Sequence, residues 1–310
     1  MQIVKPFFEI IEQLPGEIGM LKHIEKCART AYKSEDKITE DSYKRFCNML
    51  LDRGHWACFE QGTIYMKVPY IIDGEYSGQW VQSRYEENPY SRVYCDGDAY
   101  YITTNKRVIL ENGWEDDVQD FWCDYTEFHK KRVCVKITTS RGISHELVRH
   151  RVFSFIQSSQ RYCNYSLGKF NKELTYVIPE WIYDVRHSVT HRDDGELLIT
   201  RKYLYELDGL RLIRELSCED RSVACWLNSL VRAEIDYMFL TTTDESYKLT
   251  PQEARGILPN DCMTEICMTG FVDQWKEFFK LRCASDAHPD MQVIANMIEN
   301  EFIKRNYLNE

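Results

Sequence analysis

The sequence predicts a single α/β domain, and three observations carry that prediction. Apolar residues recur at helical spacing near the N-terminus and through most of the C-terminal third. Residues 62–69 and 132–138 have the alternation or apolar run of strands, with turn-forming residues nearby. No internal repeat, low-complexity run or interdomain linker divides the 310 residues, a length that can bury a sizeable core without splitting.

Taken in order, residues 19–34 and 40–53 read as amphipathic helices, the second from Tyr43, Phe46, Leu50 and Leu51. Gly54-His55 stops that helix and leads into the strand at 62–69. Residues 71–130 are rich in Tyr, Asp, Glu and Asn, with turn signals at Asn88-Pro89 and Asp96-Gly97, and read as an elaboration on the core. Residues 143–153 look helical, 154–167 look like polar loop, and 174–178 form a short strand ended by Pro179. Residues 188–195 read as a polar surface turn. From Glu219 the chain reads as mostly helical: 219–243, a short helix after Pro251, 262–281 and 288–306. Pro251 and His288-Pro289 suit helix first turns.

Composition narrows the function. With 44% hydrophobic and 28% charged residues, the chain is globular rather than disordered. A net charge of −10 and a pI of about 5.4 argue against a protein that coats nucleic acid, which needs a broad basic face. No stretch reaches the roughly 20 apolar residues of a membrane span; the best candidate, 225–240, is broken by Arg232, Glu234 and Asp236. Met1-Gln2-Ile3-Val4-Lys5-Pro6 lacks the charged-then-apolar order of a signal peptide. The twelve cysteines are scattered without a CxxC, so reduced thiols in a cytoplasmic protein are expected.

Common sites are absent: there is no GxGxxG and no Walker A loop. His145 and His150 superficially resemble a zinc-protease pair but stand five residues apart, about 140° around a helix, so no metal is expected. What stands out is Arg149-His150-Arg151, seven residues, then Ser159-Gln160-Arg161. Three guanidiniums, an imidazole and the hydroxyls of Ser154 and Ser159 suit a phosphorylated ligand, because planar arginine forks grip phosphate bidentately. A solvated basic turn is the plain alternative. A nucleic-acid patch is another, with Phe153, Phe155, Tyr162 and Tyr165 available to stack on bases.

The pattern Arg149-His150-Arg151-x2-Ser154-x4-Ser159-x-Arg161 resembles the signature of the flavin-dependent (alternative) thymidylate synthases. Three further segments resemble that family in the same order. They are Gly54-His55-Trp56-Ala57-Cys58-Phe59-Glu60, Ala254-Arg255-Gly256-Ile257-Leu258-Pro259, and Leu281-Arg282 with Ala287-His288-Pro289 beyond. The stretches 71–130 and 184–215 lengthen this chain relative to compact members.

The resemblance implies a central, mainly antiparallel sheet flanked by helices, in a homotetramer with shared active sites. It implies that a methylene group passes from methylenetetrahydrofolate to C5 of dUMP, that FAD supplies hydride, and that NADPH re-reduces the flavin. The protein's part would be to orient and tune these groups. Arg149, His150, Arg151, Glu60 and Gln157 are then expected at FAD. Arg149, Gln157, Ser159, Arg161, Arg255 and Arg282 are expected at dUMP, and His55 at the flavin–folate face.

Arg282 is the expected catalytic residue, stabilising the anion that forms on uracil without surrendering its own charge. Cys163 is expected to be packing rather than a nucleophile. Several positions depart from the family pattern: Ile156 and Gln157 replace Asn and Glu, Ala57-Cys58 replaces Ser/Thr-Pro, and Gln61 replaces a common His. Glu146 stands where Gln is frequent, Gln252 where Glu precedes Ala-Arg, and Phe271 and Asp273 near the family's polar flavin contacts. A same-fold methylase or hydroxymethylase of UMP or dCMP, or a non-catalytic nucleotide- or RNA-binding protein, are the alternatives.

Overall fold

A computed structural model describes residues 1–72, 78–183, 221–244 and 246–309. The expected turn at 188–195, the stretch 184–215 and the first residues of the 219–243 helix lie outside the described residues.

The centre is a four-stranded antiparallel sheet in the order β2 (Phe7–Ile11), β6 (Arg132–Ser140), β9 (Met263–Phe271), β7 (Ser154–Gln157). β1 is Gln2–Val4, β2 Phe7–Ile11 and α1 Gly16–Arg29. α2 (Ser42–Asp52) follows, and Gly54 ends it at φ 69° while the Gly54 and His55 amides donate back to Leu51 and Leu50. Glycine is favoured there because a side chain in that left-handed conformation is strained. Tyr43 and Leu50 point inward as expected, but Leu51 lies on the exposed face.

The region 71–130 is more regular than its turn-rich sequence promised. β3 (Thr63–Pro69), α3 (Gly78–Glu86), β4 (Arg92–Cys95) and β5 (Ala99–Asn105) come first, then α4 (Lys106–Asn112) and α5 (Glu115–Phe121). β5 lies between β3 and β4 in a second antiparallel sheet. Both expected turns are present. Gly97 closes the β4–β5 hairpin at φ 105°, and the Asp96 carboxylate accepts from the Asp98 and Ala99 amides.

β6 (Arg132–Ser140) leads directly into α6 (Arg141–Leu147). β7 (Ser154–Gln157) and β8 (Thr175–Val177) follow, then α7 (Glu180–Tyr183), α8 (Arg221–Thr242) and α9 (Pro251–Ala254). β9 (Met263–Phe271), α10 (Val272–Arg282) and α11 (Pro289–Lys304) complete the order.

The expectation of one helix over 262–281 is therefore wrong in its first half. β9 pairs with β6 along nine residues and with β7 along four, and its two faces pack into different cores through Cys267 and through Ile266 and Met268. A strand buried on both faces reads as a near-continuous apolar run, and such a run cannot be told from a buried helix by periodicity.

Alternation on this sheet separates two cores. Val133, Val135, Ile137, Ile266 and Met268 face α10 and α11, where Trp275, Phe278, Phe279, Ile294, Ile298 and Phe302 pack. Cys134, Cys267 and Ile156 face α1, with Met20, Ile24, Cys27 and Ala28. A third core joins β1, β8 and α8. No described helix is long and apolar enough to cross a membrane.

Candidate active site

The Arg149–Arg151 segment is a turn rather than the end of a helix. Ser140 Oγ caps α6 by accepting from the Ile143 amide at 3.3 Å, and the helix ends at Leu147. The amides of Arg149 and His150 then donate to Glu146 and Leu147. Leu147 and Phe153 both reach the core; a continued helix would place them about 120° apart, so the chain turns instead. Val152 makes that turn at φ 71°, an outlier for a β-branched residue and a mark of strain held by its surroundings. Phe153 anchors the exit, its ring edge-on to Trp275 with centroids 5.0 Å apart. The expected loop at 154–167 accordingly begins as strand β7, paired with β9.

Arg282, at the C-terminus of α10, is brought to this turn. Its Nε donates to His150 Nε2 at 2.8 Å and its Nη1 to Glu146 Oε2 at 2.8 Å. Because Nε2 accepts, the proton of the neutral imidazole sits on Nδ1. Burial and then the nearby Arg282 charge push the His150 pKa down to about 4. The Phe278 ring meets the imidazole edge-on at 5.0 Å. His145 and His150 do not share a helix, since α6 ends between them.

The remaining arginines gather at the other end of β7. Arg141 Nη1 donates to the Ser158 carbonyl at 3.1 Å and to Thr264 Oγ1 at 3.3 Å. Ser158 is tied to β9 as well, its amide donating to the Glu265 carbonyl at 2.8 Å. Ser159 Oγ accepts from the Arg161 amide at 3.2 Å, which folds the loop so that Arg161 is exposed. Burial lowers the Arg141 pKa, and the Arg255 charge adds in the same direction, which marks Arg255 as a neighbour of this loop. Arg149, Arg151, Arg161 and Arg255 are all exposed, and among the described residues none has a carboxylate within ion-pair distance. Unpaired guanidiniums beside a structured loop can grip an anion.

The other expected residues are placed as follows. Glu60 binds Arg107 Nη1 at 2.5 Å, and its carbonyl accepts from Arg132 Nη2 at 3.0 Å. The short helix that carries it, Trp56–Gln61, packs against β7. His55 is exposed just ahead of that helix. Gln157 spends its amide nitrogen on Ser144 Oγ at 2.7 Å and Thr264 Oγ1 at 3.0 Å. Ser154 is fully buried and lies 3.4 Å from Arg132 Nη2, so its hydroxyl braces the scaffold. Cys163 is buried, which holds its thiol above the ordinary range. Of the four aromatics offered for stacking, Phe153 is buried, while Phe155 and Tyr165 pack against cores. Tyr162 alone is exposed, its ring tilted against that of Tyr32 with centroids 5.0 Å apart.

Reading the sequence missed three residues that structure this candidate site: Glu146 as the partner of Arg282, Arg141 as the brace of the Ser158 loop, and Arg132 as the buried strut. Only Glu146 carried a signal, as a departure from Gln.

The family model described as thymidylate synthase complementing protein matches residues 127–305. The chain belongs to this family. The match includes every expected site residue except His55 and Glu60. Among curated relatives, the flavin-dependent thymidylate synthase of Corynebacterium aurimucosum is 31% identical over 158 residues, covering 50% of this chain and 51% of that one. The Mycolicibacterium gilvum protein of the same name is 30% identical over 156 residues, again 50% and 51%. The chain thus spans about half the length of the curated relatives it matches.

Two solved structures are similar at low levels. The Helicobacter pylori flavin-dependent thymidylate synthase with FAD and dUMP is 17% identical (TM-score 0.35, 57% of this chain and 70% of that). A UMP/dUMP methylase from Streptomyces cacaoi with 5-Br dUMP is 14% identical (TM-score 0.40, 98% and 93%).

Proposed function

We propose that the protein is a flavin-dependent thymidylate synthase that makes dTMP from dUMP, with methylenetetrahydrofolate as one-carbon donor and NADPH as reductant. The observation that carries this reading is the contact of Arg282 with His150 and Glu146. It joins two motif segments 132 residues apart into one polar cluster beside unpaired arginines. Those arginines also fit a cofactor with phosphates.

When bound, FAD would supply the hydride that completes the methyl group. Arg149, His150 and Arg151 would hold its phosphates, with Glu60 and Gln157 nearby and His55 at the flavin–folate face. Ser159, Arg161 and Arg255 would bind the dUMP phosphate, joined by Arg149 and Gln157. Arg282 would stabilise the negative charge that develops on uracil; held part-buried, with its side chain 21% exposed, it acts where water screens it less.

The two arginine groups flank β7, three residue steps or about 10 Å of strand. As the family resemblance implies, the active sites would be shared between subunits of a homotetramer, with residues 1–310 acting as one catalytic domain. The free thiols of the described cysteines fit a cytoplasmic setting.

A second reading, a same-fold methylase or hydroxymethylase of UMP or dCMP, is favoured by one feature. Ile156 is in the core and Gln157 is engaged internally, so base contacts differ from those of Asn and Glu.

A product assay tests both. The FAD-loaded protein, given dUMP, methylenetetrahydrofolate and NADPH, is expected to form dTMP, and to form little without FAD. Absence of dTMP would sink the main reading, and product from UMP or dCMP instead would establish the second. RNA affinity with a steep salt dependence and no flavin uptake would favour a binding protein.

A further inference from the structure

The fold gathers thiols that the sequence scatters. His23 and Cys27 stand four apart on α1 and so share one helix face. That face rests on β6 and β9 where Cys134 and Cys267 point up at it. Cys27 Sγ lies 3.6 Å from His23 Nε2 and 3.7 Å from Cys134 Sγ. The three ligand atoms fall within 4.8 Å of one another, all buried, and Cys267, a neighbour of both thiols, lies outside that set.

A tetrahedral zinc ion has edges of about 3.8 Å between sulfurs and about 3.6 Å between sulfur and nitrogen, from its usual bond lengths. The two measured edges match those values. Charge matches too. Zinc with two thiolates and a neutral imidazole carries no net charge, so the buried site needs no counter-ion, and the buried Arg132 guanidinium acts electrostatically on Cys134. Among the described residues Arg132 donates only to neutral oxygens, those of Thr63, Glu60 backbone and Ser154.

His23 Nδ1 has no hydrogen-bond partner among the described residues. The Glu12 backbone favours a charged ring without meeting hydrogen-bond geometry. A cleft of about 190 Å³, lined by His23, Cys134, Arg132, Thr63 and Thr269, offers an entry path.

We propose that His23, Cys27 and Cys134 hold a zinc ion that pins α1 to the central sheet, with water from the cleft as its fourth ligand. Binding replaces two S–H bonds with two Zn–S bonds and releases two protons to solvent, with no change of oxidation state. The expectation of no metal rested on the His145–His150 spacing and did not reach these residues.

The test uses the full chain purified from zinc-supplemented cells. Elemental analysis should find one zinc per chain. After chelation, added cobalt(II) should give tetrahedral d–d bands and thiolate-to-cobalt charge transfer, and chelation should lower the melting temperature by several degrees. Cys27→Ser and Cys134→Ser should lose the charge-transfer signal, while Cys47→Ser and Cys163→Ser, at buried thiols outside the cluster, keep it. If the cluster variants do not fold, the cobalt spectrum of the unmutated protein decides. Substoichiometric zinc with no thiolate signal, a cobalt spectrum of oxygen and nitrogen ligands only, or full signal in folded Cys27→Ser would each overturn the site.

Discussion

The arginine turn at 149–161 and the thiol cluster under α1 both lean on β9, yet they are opposite in kind. The arginines follow one another in sequence, sit at the surface and keep unpaired charge. The cluster takes an imidazole from position 23 and thiols from positions 27 and 134, with Cys267 beside them, all buried and brought together only by packing of α1 on the sheet. The first region gathers charge for something outside the chain; the second holds the chain to itself. Substitutions should therefore separate activity from stability.

The largest expected effect is at Arg282. Arg282→Ala should cut turnover about 100- to 1000-fold, the usual cost of losing a group aimed at developing charge. FAD binding should persist and the melting temperature change little. Complete loss of flavin with unchanged dUMP affinity would place Arg282 with the cofactor instead and break the contrast.

Gly270 probes the seam between the regions. A Cβ there would sit 2.4 Å from the Phe153 ring and 2.9 Å from Gln274 Oε1. Overpacking of that kind costs about 1–3 kcal/mol. Gly270→Ala should thus lower stability in urea unfolding, and by moving Phe153 it should also weaken dUMP binding. Lost stability with unaltered binding would mean that Phe153 does not position the arginine turn.

The two regions also explain what could be read in advance. Arg149 to Arg161 was legible because one short loop and strand carry it, and local spacing survives folding. Helix α2, the strand at 63–69 and the Asp96-Gly97 turn were legible for the same reason. β9 was not: Met263–Phe271 is largely buried on both faces, so it lacks the in–out alternation of a half-exposed strand, and only its pairing with β6 and β7 reveals one. The continuation of α6 to 153 failed because Val152 adopts a backbone conformation that β-branched residues rarely take. Cys134 and Cys267 were invisible as partners, since the register that aligns Cys134 with Thr269 and Lys136 with Cys267 leaves no local pattern. Arg132 was likewise hidden, buried so deeply that desolvation lowers its pKa to about 10.

Acid should act on the turn in a defined direction. The folded His150 pKa of about 4 lies below the ordinary value near 6.5, so between those values the unfolded chain binds the proton that the native turn refuses. Stability from this group is present above about pH 6.5 and falls as pH drops toward 4. Urea unfolding from pH 7.5 to 4.5 should show that loss, and His150→Gln should flatten part of the slope. An unchanged slope would assign the acid sensitivity elsewhere.

The smallest effect, and the sharpest test of how the turn works, concerns Glu146. Its carboxylate is 34% exposed and pairs with an Arg282 side chain that is 21% exposed, so solvent screens the pair and its net worth is about 1 kcal/mol or less. A carboxylate beside the proposed catalytic guanidinium offsets the charge that should meet the substrate, whereas the Gln common in the family accepts the same hydrogen bond without that offset. Glu146→Gln should therefore keep Arg282 in place and raise turnover, by up to about fivefold if the full 1 kcal/mol moves to the transition state. Steady-state kinetics with dUMP would measure it. A fall in turnover would instead make Glu146 a positioning residue whose charge holds Arg282 against His150, and the arginine turn would then depend on internal pairing as the thiol cluster does.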